Sequence, residues 1–345
     1  MNEQRKEASL SGVKAALTES RASFSLDSTT GPMLAERMKE KLTGSAEMKS
    51  GKPLMMTGIS GSQKALAAAA LLKTCDRAVI IVPDQKDIFR WEEDLAFFAP
   101  DFEVHPFPLV EEAGFHVTFT GTERLRDRMQ SLSLLMEGKK AVILATSVEA
   151  AQKIISPEAL KDHALTFAMG DEWEREDLLE KLVSAGYERV GQVERCGHFA
   201  VRGDIVDIFP ISEAHPIRIE FFGDEIDSIR SFDEDSQRSM ENFDKAMVLP
   251  LSLKEEKKSI LFDYLEKGLI FYDEPQRSEE NLKRYFKEEK ENREKAFPFE
   301  DMAGKGRKKN GEVIFFPVNR LLNEFKTVVY GWRGQPITNY QRQMP

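Results

Sequence analysis

The stretch whose residue types and spacing come nearest to a known chemistry is Gly58-Ile59-Ser60-Gly61-Ser62-Gln63-Lys64-Ala65. It lies between a short apolar run, LMMTG at 54–58, and an alanine-rich segment at 62–74, which read as a buried strand and a helix. Strand, loop and helix form the setting of a phosphate-binding loop: glycine, any four residues, glycine, lysine, then serine or threonine. In such a loop the backbone N–H groups at the helix start cradle phosphate. The lysine reaches the β and γ oxygens, and the hydroxyl holds Mg²⁺. Gly58 and Lys64 occupy the required positions. Gln63 replaces the second glycine and puts a side chain where the backbone should close on phosphate; Ala65 has no oxygen for a metal. These changes predict no ATP hydrolysis, with weak anion binding at Lys64 left open. Taken alone, the residues fit a strand–turn–helix without nucleotide ancestry equally well.

A second acidic element bears on that choice. Asp273-Glu274 ends the apolar run LIFYDEP at 269–275. Carboxylates at the C-terminal end of a buried strand are where an NTPase keeps its Mg²⁺ and its water-activating pair, although the dipeptide also suits a solvated strand end. Loop and carboxylates together favour a decayed nucleotide site. No metal site is expected: the five histidines are scattered, and Cys75 and Cys196 lack CxxC spacing and read as ordinary thiols in a reducing compartment.

The elements that must position these residues alternate. Apolar strands at 77–83 and 141–147 enclose an amphipathic helix at 87–99, with Ile88, Trp91, Leu95 and Phe98 on one face, a loop rich in Phe and Pro, and a helix at 122–138. Near-continuous apolar strands separated by helices predict a parallel α/β sheet covered on both faces. Near residue 160 the pattern changes to a strand, a helix at 174–186 stopped by Gly186, and then runs that alternate as antiparallel strands: ERVGQVE, HFAVRGDIVDIFP, PIRIEFF and EIDSIRSFD. FFGDE at 221–225 carries hairpin-turn chemistry. Four parts result: a helical lead-in over 1–50, a degenerate P-loop α/β domain over 51–158, an inserted antiparallel α+β domain over 159–250, and 251–345 completing the first domain and ending in a polar tail.

In PIRIEFF the alternation buries Ile217, Ile219 and Phe221 and leaves Arg218 and Glu220 on the other face. In HFAVRGD it pairs Phe199 with Val201 inside, and Ala200 with Arg202 outside; Gly203 marks a bend or bulge. His198 reads as an ordinary surface histidine and Tyr187 as a packing residue. Arginines beside a carboxylate on a sheet face suit either a charge-steered protein interface or a solvated face of internal ion pairs. The formal charge of −10 and a pI near 5.3 argue against autonomous DNA binding. A basic run, Lys305, Arg307, Lys308 and Lys309, is the exception. No apolar run has membrane-spanning length, and the first residues lack the core of a secretory signal, so a cytoplasmic location is expected.

YERVGQVERCGHFAVRGDIVDIFP and IRIEFFGDEIDSIRSFDEDSQRS closely resemble the module shared by the repair helicase UvrB and the transcription-repair coupling factor family, Mfd. Weaker similarity places MTGISGSQKA at the first nucleotide motif and FDYLEKGLIFYDEP at the second. UvrB keeps an intact loop and an aromatic-rich DNA-clamping hairpin. Here the loop is degenerate, and the matching region, Pro106 to Phe119, is short and has no tyrosine cluster. The resemblance is therefore to the N-terminal UvrB-like module of the coupling factor, with a fragment of a UvrB-type helicase as the alternative. It implies UvrA as partner, docked at Arg189, Arg202, Arg218 and Glu220. Ala200 stands where UvrB often has another arginine. No cofactor is implied for this fragment. For a full-length parent it implies an ATP-dependent DNA translocase motor, with RNA polymerase and double-stranded DNA as further partners.

Overall fold

The computed structural model describes residues 30–43, 54–57, 59–110, 119–251, 257–288, 292–303, 311–316 and 326–329. Most of the N-terminal lead-in, Gly58, residues 111–118, the basic run at 305–309 and the polar tail lie outside them.

The larger sheet follows from the apolar runs. Strands β1 (Leu54–Thr57), β2 (Arg77–Val82), β3 (Glu103–Pro106), β4 (Ala141–Thr146), β13 (Gly268–Asp273), β14 (Gly311–Phe316) and β15 (Lys326–Val329) stand in the order β15-β1-β14-β13-β2-β4-β3. All pairings are parallel except β1 with β15. Alternate residues enter opposite cores. Val79, Ile81, Ile143, Ala145, Ile270 and Tyr272 pack on one side, and Ala78, Ile80, Val142, Leu144, Leu269 and Phe271 on the other. Because both faces are covered, the runs read as continuous rather than alternating.

On one face, helices α1 (Thr30–Thr43), α2 (Ser62–Leu72) and α3 (Gln85–Phe98) pack together. The alanines at 67–70 of α2 are all fully buried, which lets it lie close to both the sheet and its neighbours. The other face takes helix α4 (Phe119–Glu137), α5 (Ser147–Ala151), α8 (Pro275–Glu288) and a 3₁₀ turn at Leu261–Tyr264. The run at 141–147 ends one residue early as strand, because Thr146 caps α5: its hydroxyl accepts from the Glu149 N–H, while the Glu149 carboxylate accepts from the Thr146 N–H. The Phe- and Pro-rich stretch expected as loop opens with strand β3, a four-residue edge strand that ends on a proline, a position where a missing N–H costs nothing.

Strand β13 sits between β14 and β2, so the chain leaves the sheet after β4 and re-enters its middle. The excursion begins with helix α6 (Pro157–Asp162) and builds a second sheet, β11-β10-β9-β8-β7-β6, from β6 (Glu188–Arg189), β7 (His198–Arg202), β8 (Ile205–Ile208), β9 (Ile217–Phe222), β10 (Glu225–Phe232) and β11 (Ser239–Asn242). A separate pair joins β5 (Leu165–Ala168) to β12 (Lys245–Val248). Helix α7 (Arg175–Ser184) lays Leu178 and Leu182 onto Phe199, Val206, Ile219 and Ile229. It stops at Gly186, whose φ of 92° is readily adopted only by glycine.

Two expectations are corrected here. The run HFAVRGDIVDIFP is two strands, not one: Gly203, at φ 60°, reverses the chain so that β7 and β8 pair antiparallel. ERVGQVE contributes only two residues of strand, and β6 runs parallel to β7. The FFGDE hairpin forms as read, with Phe222 paired to Glu225 around Gly223-Asp224.

Candidate functional site: a closed loop and an open sheet face

At the end of β1 the loop enters α2 through Gly61, at φ 53° and ψ −139°, and the Lys64 N–H donates to the Gly61 carbonyl at 3.0 Å. Gln63 fills the loop by folding back: its Oε1 accepts the Ser60 N–H at 3.1 Å. That backbone donor is thus satisfied by the substituted residue itself. Ala65 is buried and presents only a methyl group.

Lys64 points across the ends of the strands rather than into solvent. Its Nζ is 2.5 Å from Asp273 Oδ1 and 3.6 Å from Glu274 Oε1. Lys64 is 6% exposed and Asp273 is fully buried. The second carboxylate oxygen of Asp273 accepts from Trp91 Nε1 at 3.0 Å, with Arg90 Nη2 at 3.8 Å. Glu274, held at φ 49°, turns its carboxylate to Arg277 at 2.6 Å, and Arg277 also binds Asp84. The structure therefore brings together the sequence-predicted loop and acidic pair, but as a self-neutralised network. Sequence reasoning placed Trp91 on an apolar stripe and missed its role. The available signal was that a buried indole N–H needs an acceptor.

Beside this network, Glu149 is buried and also accepts from Gln85 and from the Leu109 N–H at 3.3 Å. Burial pushes its carboxyl above the usual range. Arg128, likewise buried, donates to the Pro108 carbonyl and to Gln152 Oε1 at 2.5 Å, and stacks over Phe107 at 4.5 Å. Desolvation lowers its guanidinium to about 9. These two groups fasten residues 107–110 to the sheet.

The second sheet behaves differently. Strand pairing sets Ala200 beside Asp207, Asp207 beside Arg218, Glu220 beside Ile205 and Arg230 beside Arg218, so their side chains share the face opposite the core. Arg218 is half-buried. It clamps Asp207 through Nε at 2.6 Å and Nη2 at 2.8 Å, reaches Gln237 at 3.2 Å, and lies 4.4 Å over the Phe232 ring. Glu220 is held by Arg230 and by Ser228 at 3.0 Å. The Arg230 hydrogen bonds keep its carboxyl below the usual range.

Arg202, one residue before the Gly203 turn, is exposed and forms no ion pair among the described residues. Arg189 is likewise exposed and unpaired, but its register with Phe199 puts it on the core side of the edge strand. The four predicted docking residues thus divide: Arg202 is open, Arg218 and Glu220 are in internal pairs, and Arg189 is on the other side.

Two further readings change, and a third is extended. Ala200 is on the predicted face but is 1% exposed, covered by Val193 and Phe209. His198 is not a surface residue; it is buried, with Arg195 Nε 2.7 Å from its Nε2, and burial followed by that guanidinium lowers its pKa. Tyr187 packs as read, and its hydroxyl also donates to the Leu249 carbonyl at 2.8 Å, tying the second lobe to the first. The residue that sequence reasoning missed is Phe222, 83% exposed beside the second turn. The i, i+2 series from Arg218 and Glu220 runs straight to it. The two hairpin turns lie at the same end of the sheet, since Ile205 pairs with Glu220. An open arginine and an open phenylalanine therefore stand at one end of a face whose middle is a rigid grid of ion pairs.

Residues 165–253 match the UvrB interaction domain. The chain is 29% identical over 223 residues to the transcription-repair-coupling factor of Bacillus subtilis, covering 63% of this chain and 19% of the relative. It is 30% identical over 201 residues to that of Staphylococcus haemolyticus, covering 58% and 17%. The chain therefore spans less than a fifth of the length of these curated relatives. Together the matches support a UvrB-like module of the coupling-factor kind, as the sequence resemblance implied.

Proposed function

We propose that this UvrB-like module, of the kind found in transcription-repair-coupling factors, is a non-catalytic adaptor that docks UvrA during transcription-coupled nucleotide excision repair. The observation that carries the reading is the contrast between Lys64, spent on Asp273 inside the protein, and Arg202 with Phe222, exposed and unspent at one end of the sheet. Interfaces favour an aromatic and an arginine as anchors. Here the ion-paired Arg218–Asp207 and Arg230–Glu220 hold the surrounding surface rigid, so little side-chain entropy is lost on docking.

In this reading the module hydrolyses no ATP. The decayed helicase-like fold survives as a scaffold, and 159–250 is the docking domain inserted into it. A full-length parent would supply an ATP-dependent translocase on double-stranded DNA and a contact to stalled RNA polymerase, all in the cytoplasm. The test is calorimetric titration of the purified chain into UvrA, with ATP turnover followed on the same sample. Saturable binding without Lys64-dependent turnover supports the adaptor. Turnover abolished by Lys64→Ala would instead favour a UvrB-type ATPase, and no binding would refute the UvrA assignment.

A further inference from the structure

At the end of the second sheet away from the Gly203 and Gly223 turns, a cleft of about 1250 Å³ separates the two lobes. One wall comes from the first lobe: the C-terminal end of α4, helix α6 and the 3₁₀ turn. The other comes from the β8–β9 connection and from β11 and β12. The floor is apolar and half-buried, built from Met136, Phe243, Ala246 and Met247, and Met240 stands 52% exposed at the rim. Around it Glu137, Glu158, Glu213, Glu241, Asp263 and Glu266 outnumber three lysines by two to one. One of those lysines, Lys139, is already held by Glu137 at 2.8 Å. Glu213 is pressed upward in pKa by burial and by Glu137.

The geometry of the wall limits what fits. Strand β11 is terminal in its sheet and all four of its residues are exposed. A terminal strand leaves one row of N–H and C=O groups without a ladder partner. A strand added there presents side chains alternately to two sides. Met240 and Glu241 of β11 line the cleft, so a strand added there would lie beside both the methionine floor and the acidic rim.

We infer that the cleft between the lobes is a second docking groove, distinct from the Arg202–Phe222 face, for an extended partner segment in which basic and apolar residues alternate. The charge excess selects lysine or arginine. Flexible methionines accommodate differing apolar side chains. The terminal strand supplies backbone pairing that is indifferent to sequence.

The experiment uses the full chain and a fluorescent synthetic peptide of about nine residues alternating lysine and leucine, followed by anisotropy. Binding is expected in the micromolar range, falling with added salt because rim charges are screened over about 8–10 Å at ordinary ionic strength. Glu241→Lys combined with Glu266→Lys should weaken it at least tenfold and Met240→Asp at least threefold, while Arg202→Ala leaves it unchanged. All are exposed positions, so circular dichroism should show unaltered folding. Loss of affinity in a peptide with alternate backbone nitrogens methylated would support strand addition. The inference is overturned if the peptide does not bind, if a glutamate–leucine or lysine–glutamine peptide binds as tightly, if the methylated peptide binds equally, or if Arg202→Ala removes binding while the cleft variants do not. UvrA titration of the same variants keeps this outcome separate from that of the adaptor reading.

Discussion

Lys64, in the first turn of α2, and Arg202, at the end of β7, are both cations beside a tight turn, yet the fold treats them oppositely. Lys64 is 6% exposed and its charge is consumed by Asp273, whose other oxygen is held by Trp91. Arg202 is exposed and has no ion-pair partner among the described residues. A buried pair is costly to desolvate and costlier to break, so it holds the structure together and leaves nothing to recruit a ligand. An exposed charge stabilises the fold little and remains available to a partner. The two regions teach that motif position alone does not locate function; the state of each charge does.

The largest expected effect of breaking that contrast falls on stability. Lys64→Ala strands a fully buried carboxylate and should cost about 3–5 kcal/mol in chemical denaturation, whereas Arg202→Ala should change stability by less than about 0.5 kcal/mol. Adding Asp273→Asn to Lys64→Ala should recover part of the loss. If the double variant is no more stable than the single one, the buried pair is not what Lys64 serves. Next comes Arg218→Ala, which releases the buried Asp207 and uncovers Phe232; urea titration should show a loss of roughly 2–4 kcal/mol. Any drop in UvrA affinity in that variant then reports a loosened surface as well as a lost contact.

Nucleotide should do almost nothing. A ligand at a hundred times its dissociation constant stabilises by about 2.7 kcal/mol, so a flat melting temperature in millimolar ATP and Mg²⁺ is the outcome expected of a loop closed by Gln63. The smallest effect concerns acid. Burial lowers the His198 pKa below its ordinary 6.5, so the unfolded chain takes up the proton first as pH falls. The contribution is intact above pH 6.5 and is lost progressively below it. His198→Gln should flatten the pH dependence of stability by less than about 1 kcal/mol between pH 7 and pH 5, as followed by thermal melts.

Much of the architecture was legible because it rests on local pattern. Continuous apolar runs marked the buried parallel strands, and strict alternation in PIRIEFF marked a sheet with one covered face. Gly186 marked a helix stop and FFGDE a hairpin. What sequence could not resolve depended on partners distant in the chain. Arg218 looked available because Asp207, eleven residues earlier, faces it only once β8 and β9 pair. Ala200 looked exposed because nothing in its own strand shows that Val193 and Phe209 pack over it, and the burial of His198 is equally invisible in the alternation. Trp91 could not be matched to an acceptor 182 residues away. Gly203 reads from sequence as a bend or bulge because residue type alone does not distinguish either from the tight reversal it makes at φ 60°.

The central claim is that UvrA docking has passed to the open end of the sheet while the phosphate loop has become structure. Titration of UvrA with the Arg202→Ala, Phe222→Ala double variant tests it most directly. The expected result is affinity at least tenfold weaker than that of the unaltered chain, with an unchanged melting temperature. Unchanged affinity in a folded double variant would contradict the account.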